Sequence, residues 1–200
     1  MTYPFSLLRR RRGFNLIEAA IVLGVIGLVI GGIWIAAASV SEKNRVRRTV
    51  EMILVVTDEV RRQYRPFLAN YPDATSTLLA GTSATASRQV GMPADFINAD
   101  GSYRHFWGGQ IRVYLRRGIS NPPHDRVEIQ FRNFSNRSAC TQIAMMLGSV
   151  MSERDDLAQI IVDTAGAGLN TFPITLQQAD SQCAGGGGGG FNQLDVNFAM

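Results

Sequence analysis

Twenty consecutive residues, Ala19 to Ala38, carry neither a charge nor a proline, and four arginines, Arg9 to Arg12, stand just ahead of them. A helix of that length, at 1.5 Å per residue, covers roughly 30 Å, the thickness of a bilayer's hydrocarbon. Positive charge on the N-terminal flank holds that end in the cytosol. The chain is therefore expected to start in a membrane, and composition must be read with that in mind. The formal charge is +4, from 20 Lys+Arg against 16 Asp+Glu. All of that excess sits in residues 1–13, which hold four arginines and no acid. It reads as a topology signal rather than as a sign of an acidic partner. An apolar content of 46% excludes disordered and collagen-like classes.

The apolar run admits more than one kind of targeting segment. A secretory signal uses a shorter apolar core and a small-residue cleavage site, for which Ala36-Ala37-Ala38 is available. A twin-arginine signal is suggested by Arg11-Arg12-Gly13-Phe14-Asn15-Leu16. Neither accounts for Glu18. A carboxylate among lipid-facing residues costs on the order of 2.5–3.5 kcal/mol and is functional by default. The alternative is that Glu18 lies at the headgroup boundary, where the cost is small.

Gly13, Phe14 and Glu18, read together, resemble the prepilin motif of the type IV pilin and type II secretion pseudopilin family. That motif is a basic leader ending in glycine, an aromatic residue, a glutamate four residues on, and a long apolar helix. The resemblance implies cleavage between Gly13 and Phe14 by prepilin peptidase on the cytoplasmic face, followed by N-methylation of Phe14. Glycine presents the peptidase with backbone unobstructed by a side chain. The processed subunit would wait in the inner membrane, held by lipid, until the pilus assembly machinery drew it into a filament. In the apolar filament core a lone carboxylate needs a cation. The family supplies one, so Glu18 would face the terminal amine of Phe14 on a neighbouring subunit and set the axial register. The implied function is a pilus structural subunit forming a homopolymer on the cell surface, for adhesion, aggregation or conjugative contact. The alternatives are a pseudopilin of a secretion system, or a membrane-anchored binding domain that never polymerises.

No proline interrupts Phe14 to Arg65, and Pro66 closes the run. One helix is expected over 14–65, with its membrane half at 14–40. Beyond the membrane, Val46, Val50, Ile53, Thr57, Val60 and Tyr64 form a heptad-like stripe. That stripe is expected to pack on the domain that follows. Gly24, Gly27, Gly31 and Gly32 permit close helix contact, or a bend, within the apolar half.

Residues 66–200 are expected to form one globular domain. The stretch from Asn70 to Arg88, rich in Ser, Thr, Ala and Gly, reads as a connecting loop with short helical turns. Gln110–Arg117 and Arg126–Arg132 alternate as a hairpin, with Pro122-Pro123 in the turn. In the first strand Ile111, Val113 and Leu115 face inward. In the second, Val127, Ile129 and Phe131 face inward and Arg126, Glu128, Gln130 and Arg132 outward. Ser138–Met151 carries Ile143, Met146, Leu147 and Val150 at helical spacing, and further strands are expected at Leu157–Val162 and Gln193–Phe198. A long helix followed by an antiparallel sheet is an α+β fold.

Met92-Pro93-Ala94-Asp95-Phe96 and Phe106-Trp107-Gly108-Gly109 resemble the middle region of type IVb pilins and are similar to that of the thin-pilus pilins of conjugative plasmids. In that pattern the first cysteine opens a helix and the second precedes the last strand, as Cys140 and Cys183 do. The resemblance and an oxidising compartment both imply a Cys140–Cys183 disulfide, bounding a C-terminal region 140–183. Closing a loop of about 44 residues stabilises a fold by roughly 4 kcal/mol in the chain-entropy picture. The six glycines from Gly185 to Gly190 read as an exposed loop.

Nothing points to an enzyme, a cofactor or a metal. His105 and His124 are the only histidines, and no nucleophile elbow or phosphate loop is present. Asp155-Asp156 reads as a solvated turn. The arginines beyond residue 60 are scattered along the chain without an aromatic-interleaved patch, which argues against nucleic acid as a partner.

Overall fold

The computed structural model describes residues 15–66, 76–80, 90–116, 125–151, 157–162, 168–169, 171–184 and 192–200. The prepilin-like leader, Phe14, His124, the Pro122-Pro123 turn, Asp155-Asp156 and the glycine run lie outside them. The described chain is α+β, with three helices and five strands. It divides into two compact units, one ending at Glu42 and one running from Lys43 to Met200.

Helix α1 runs from Leu16 to Tyr64, within two residues of the expected span at either end. Asn15 starts it, its Oδ1 accepting the Ile17 N–H at 3.4 Å. Pro66 stops it because the ring removes a donor and clashes with the preceding turn. In the second unit its buried face comprises Val46, Thr49, Val50, Met52, Ile53, Val56, Thr57, Val60 and Tyr64. The stripe seen in the sequence is all there, widened by Thr49, Met52 and Val56. Two buried threonines cost little, since Thr49 Oγ1 donates to the Arg45 carbonyl at 2.9 Å and Thr57 Oγ1 to the Ile53 carbonyl at 2.7 Å.

The strands are β1 (Ser76–Ala80), β2 (Ile111–Arg116), β3 (Arg126–Arg132), β4 (Leu157–Val162) and β5 (Gln193–Ala199). They form one sheet in the order β1-β2-β3-β5-β4, antiparallel throughout, so the last strand is inserted between β3 and β4. β1 corrects the expectation of a loop with helical turns at 70–88. Ser76-Thr77-Leu78-Leu79-Ala80 is too short to announce itself, but pairing with β2 supplies its ladder and buries Leu79. Ile111, Val113, Leu115, Val127, Ile129, Phe131, Leu194, Val196 and Phe198 form the inner face and join the α1 stripe in one core.

Glu128 and Gln130 sit on the opposite face, as the alternation requires, yet they are buried rather than solvated. β3 is flanked on both sides, by β2 and β5, and long neighbouring side chains such as Arg116 lie against them.

Helix α2 (Arg137–Met151) buries Ala139, Cys140, Ile143, Ala144 and Leu147. Met146 and Val150, expected in its core stripe, are instead over a third exposed. The inward face is rotated toward Cys140, which is tied to Cys183 at the end of helix α3 (Leu176–Cys183) with the Cα atoms 5.9 Å apart. Helix α3 was not expected from periodicity, being short. Its signal is local: Thr175 and Gln178 form a capping box, each side chain bonded to the other's backbone N–H. The guanidinium of Arg137 grips the Asp180 carboxylate at 2.6 and 3.0 Å across the two helices.

Candidate functional site

The first unit is a helix whose residues from Leu16 to Val40 are exposed on every side, with only Ala19 partly covered. Leu16, Leu28, Trp34 and Ile35 are each more than 70% exposed. This is the one helix among the described residues long and apolar enough to cross a membrane. A helix apolar all round must be covered by lipid or by protein. Gly24, Gly27, Gly31 and Gly32 have open space where a Cβ would stand, so this chain itself gives no packing reason for glycine there.

Glu18 lies in the first turn, three residues after Asn15, and is exposed. A carboxylate there complements the unsatisfied N–H groups of the helix start. It is also the one ionisable group between Asn15 and Ser41. Its proposed partner, the Phe14 amine, lies outside the described residues, as does the Gly13/Phe14 bond.

In the second unit the Phe106-Trp107-Gly108-Gly109 segment has a structural task. The His105 Nε2–H donates to the Arg132 carbonyl at 3.0 Å, while Nδ1 accepts the Trp107 N–H at 3.2 Å, which requires the neutral ring. Burial pushes the His105 pKa down, opposed in part by the Arg132 hydrogen bond. Gly108 adopts φ +94°, and a Cβ on Gly109 would collide with the Arg132 carbonyl and His105 Nε2. Trp107 packs edge-on to Phe134 with ring centroids 5.0 Å apart. This histidine fastens a loop to the end of β3. Among the described residues no three His, Cys, Asp or Glu side chains gather as a metal site requires.

The outer sheet face joins Arg126, Glu128, Gln130 and Arg132, expected there from alternation, to residues of β2 and β5 that the sequence did not connect with them. The register sets Arg116 opposite Arg126, Arg112 opposite Gln130, and Gln130 opposite Asp195, so arginines that are scattered along the chain converge in space. Glu128 is held by Arg116 at 2.8 Å and by Gln130. Asp195 accepts from Gln193 at 2.8 and 2.9 Å. Burial raises the Asp195 pKa to about 6; the Gln193 bond opposes the rise, neighbouring Glu128 adds to it, and Arg116 and Arg132 oppose it. Asn197, fully buried beside them, has neither side-chain polar atom hydrogen-bonded.

No family model matches the chain, and no curated protein matches it. Among solved structures, the type IV b pilin from Salmonella typhi is similar at 19% identity, over 72% of this chain and 96% of that one, with a TM-score of 0.42. A likeness that loose carries no assignment, so any functional reading stands on the residues described above.

Proposed function

We propose that this chain is a type IV pilin subunit, held in the inner membrane as a precursor, processed between Gly13 and Phe14, and polymerised into a surface filament. The observation that carries the reading is Glu18, a lone carboxylate in the first turn of a helix whose next twenty residues are apolar and, but for Ala19, exposed. Such a helix needs either lipid or copies of itself around it, and a filament built from a membrane-stored subunit uses both in turn. Transfer from lipid to filament core leaves the Glu18 carboxylate in apolar surroundings, where it requires a cation. The amine freed at Phe14 by cleavage supplies that cation on a neighbouring copy, and the pair fixes how far each subunit rises relative to the last. The second unit supports the same reading, since its stripe from Val46 to Tyr64 is already satisfied within one chain and leaves the first unit as the polymerising element.

The test is the intact mass and N-terminal sequence of the mature protein. A chain beginning at N-methyl-Phe14 is the expected result. A start near Ser39, or an uncut leader in assembled material, refutes the proposal.

A further inference from the structure

The outer face of the sheet is the strongly charged surface that the filament reading leaves without a role. Residues Arg112, Tyr114 and Arg116 of β2, Arg126, Glu128, Gln130 and Arg132 of β3, and Gln193, Asp195 and Asn197 of β5 share it, by alternation from the inner face and by register. The strands of that face carry four arginines against two acids. The two acids are withdrawn from solvent, Glu128 being 4% and Asp195 6% exposed, and both are engaged by neighbours. Arg132 is exposed; Arg112, Arg116 and Arg126 are half-buried with their Nε atoms out of solvent, and Arg116 is paired with Glu128. This concentration of charge is local, because removing the leader's four arginines leaves sixteen basic against sixteen acidic residues.

We propose that this β2–β3–β5 face, with Arg112, Arg116, Arg126 and Arg132 spread across it, is a docking surface for an acidic polysaccharide. Arg112 and Arg116 lie about 13 Å apart along their strand, and Arg126 and Arg132 about 20 Å, so the cations form an extended track rather than a pocket. Guanidinium forks suit carboxylates and sulfates carried at intervals on such a chain. Single-stranded nucleic acid fits less well, because its bases need stacking platforms. Tyr114 is the one aromatic on the described strands of this face, and the Arg116 guanidinium already lies over its ring at 5.1 Å. A folded acidic protein fits less well too, because protein interfaces are anchored by large apolar or aromatic side chains. Among the described residues, the exposed large apolar ones of this unit, such as Val55, Ile97, Met145 and Leu176, all lie off these strands. A polar, cationic face without an anchor matches a hydrated polyanion.

The proposal goes beyond the filament reading and is tested on the unassembled chain, so its failure leaves that reading untouched. The full chain in a neutral maltoside detergent is titrated against immobilised polygalacturonate. Fully methyl-esterified polygalacturonate, oligo(dT) and polyglutamate serve as comparison probes. Binding to polygalacturonate that weakens with salt and vanishes on esterification is expected, since esterification removes the charge without touching the protein. Arg112→Gln with Arg132→Gln is expected to lower the affinity about tenfold, while Arg47→Gln with Arg62→Gln, the same charge change on α1, changes it less than about twofold. Absence of binding by the unmodified chain overturns the proposal. So does equal loss in the two double variants, or tighter binding of oligo(dT) or polyglutamate.

Discussion

Replacing Asp195 by asparagine should make the protein more stable near neutral pH, and the size of the effect follows from its surroundings. The Asp195 carboxyl titrates at about 6 in the folded chain against 3.8 for a free aspartate, with burial as the chief cause. The folded state therefore holds the proton more tightly than the unfolded state does. Between about pH 4 and 6 the folded chain binds more protons, so this group's contribution to stability falls as pH rises through that window. Above pH 7 the penalty is complete. About two pKa units at 1.36 kcal/mol each amount to roughly 3 kcal/mol. Asparagine removes the charge but keeps one acceptor for Gln193, which now makes two bonds to the carboxylate. Losing the second costs about 1 kcal/mol, leaving a net gain of about 2 kcal/mol at pH 7.5. For a unit of this size that is a rise in Tm of about 4–8 °C. The assay is denaturant and thermal unfolding of the detergent-held chain at pH 7.5 and pH 4, followed by far-UV circular dichroism. At pH 4 the variant should show no advantage. Loss of stability at pH 7.5, or the same gain at both pH values, refutes the account of this face.

Other perturbations follow from the same packing. Cys183→Ala should cost about 2–5 kcal/mol, because the bridge to Cys140 ties α3 to α2, and reduction of the native chain should lower its Tm to a similar degree. Gly109→Ala forces a Cβ onto the Arg132 carbonyl and His105, and should cost at least about 2–3 kcal/mol in denaturant melts, with a changed Trp107 environment by fluorescence. Glu18→Val should leave cleavage after Gly13 intact and abolish incorporation into filaments beside the unmodified subunit; filaments of normal yield containing the variant would remove the role given to Glu18.

What could be read from sequence was whatever a long or regular pattern expresses. The α1 span follows from the absence of proline between Phe14 and Arg65, and β2, β3 and β5 follow from clean alternation in Ile111–Arg116, Arg126–Arg132 and Gln193–Ala199. Short elements escaped because their stability comes from partners. β1 is five residues that hold their conformation by pairing with β2, and α3 is eight residues announced only by Thr175 and Gln178. The α2 stripe was turned by a constraint that periodicity cannot express, since the bridge draws Cys140 inward and leaves Met146 and Val150 outside. The outer sheet face was legible only strand by strand, with Arg126, Glu128, Gln130 and Arg132 outward on β3. Arg112, Arg116, Arg126 and Arg132 are unremarkable along the chain and become neighbours only once register is known. The proposed assembly residues Gly13, Phe14 and Glu18 come from a linear pattern that resembles a prepilin motif, and the role proposed for them needs a second copy of the chain.

A filament subunit built on the Leu16–Val40 helix has to be found in filaments. Electron microscopy of material sheared from the cell surface, with the protein identified in it by mass spectrometry, tests this most directly. Long filaments composed of chains that begin at Phe14 and carry the Cys140–Cys183 bridge are expected. The contradicting result is a processed chain that remains entirely as separate molecules in the membrane fraction while the sheared filaments contain none of it.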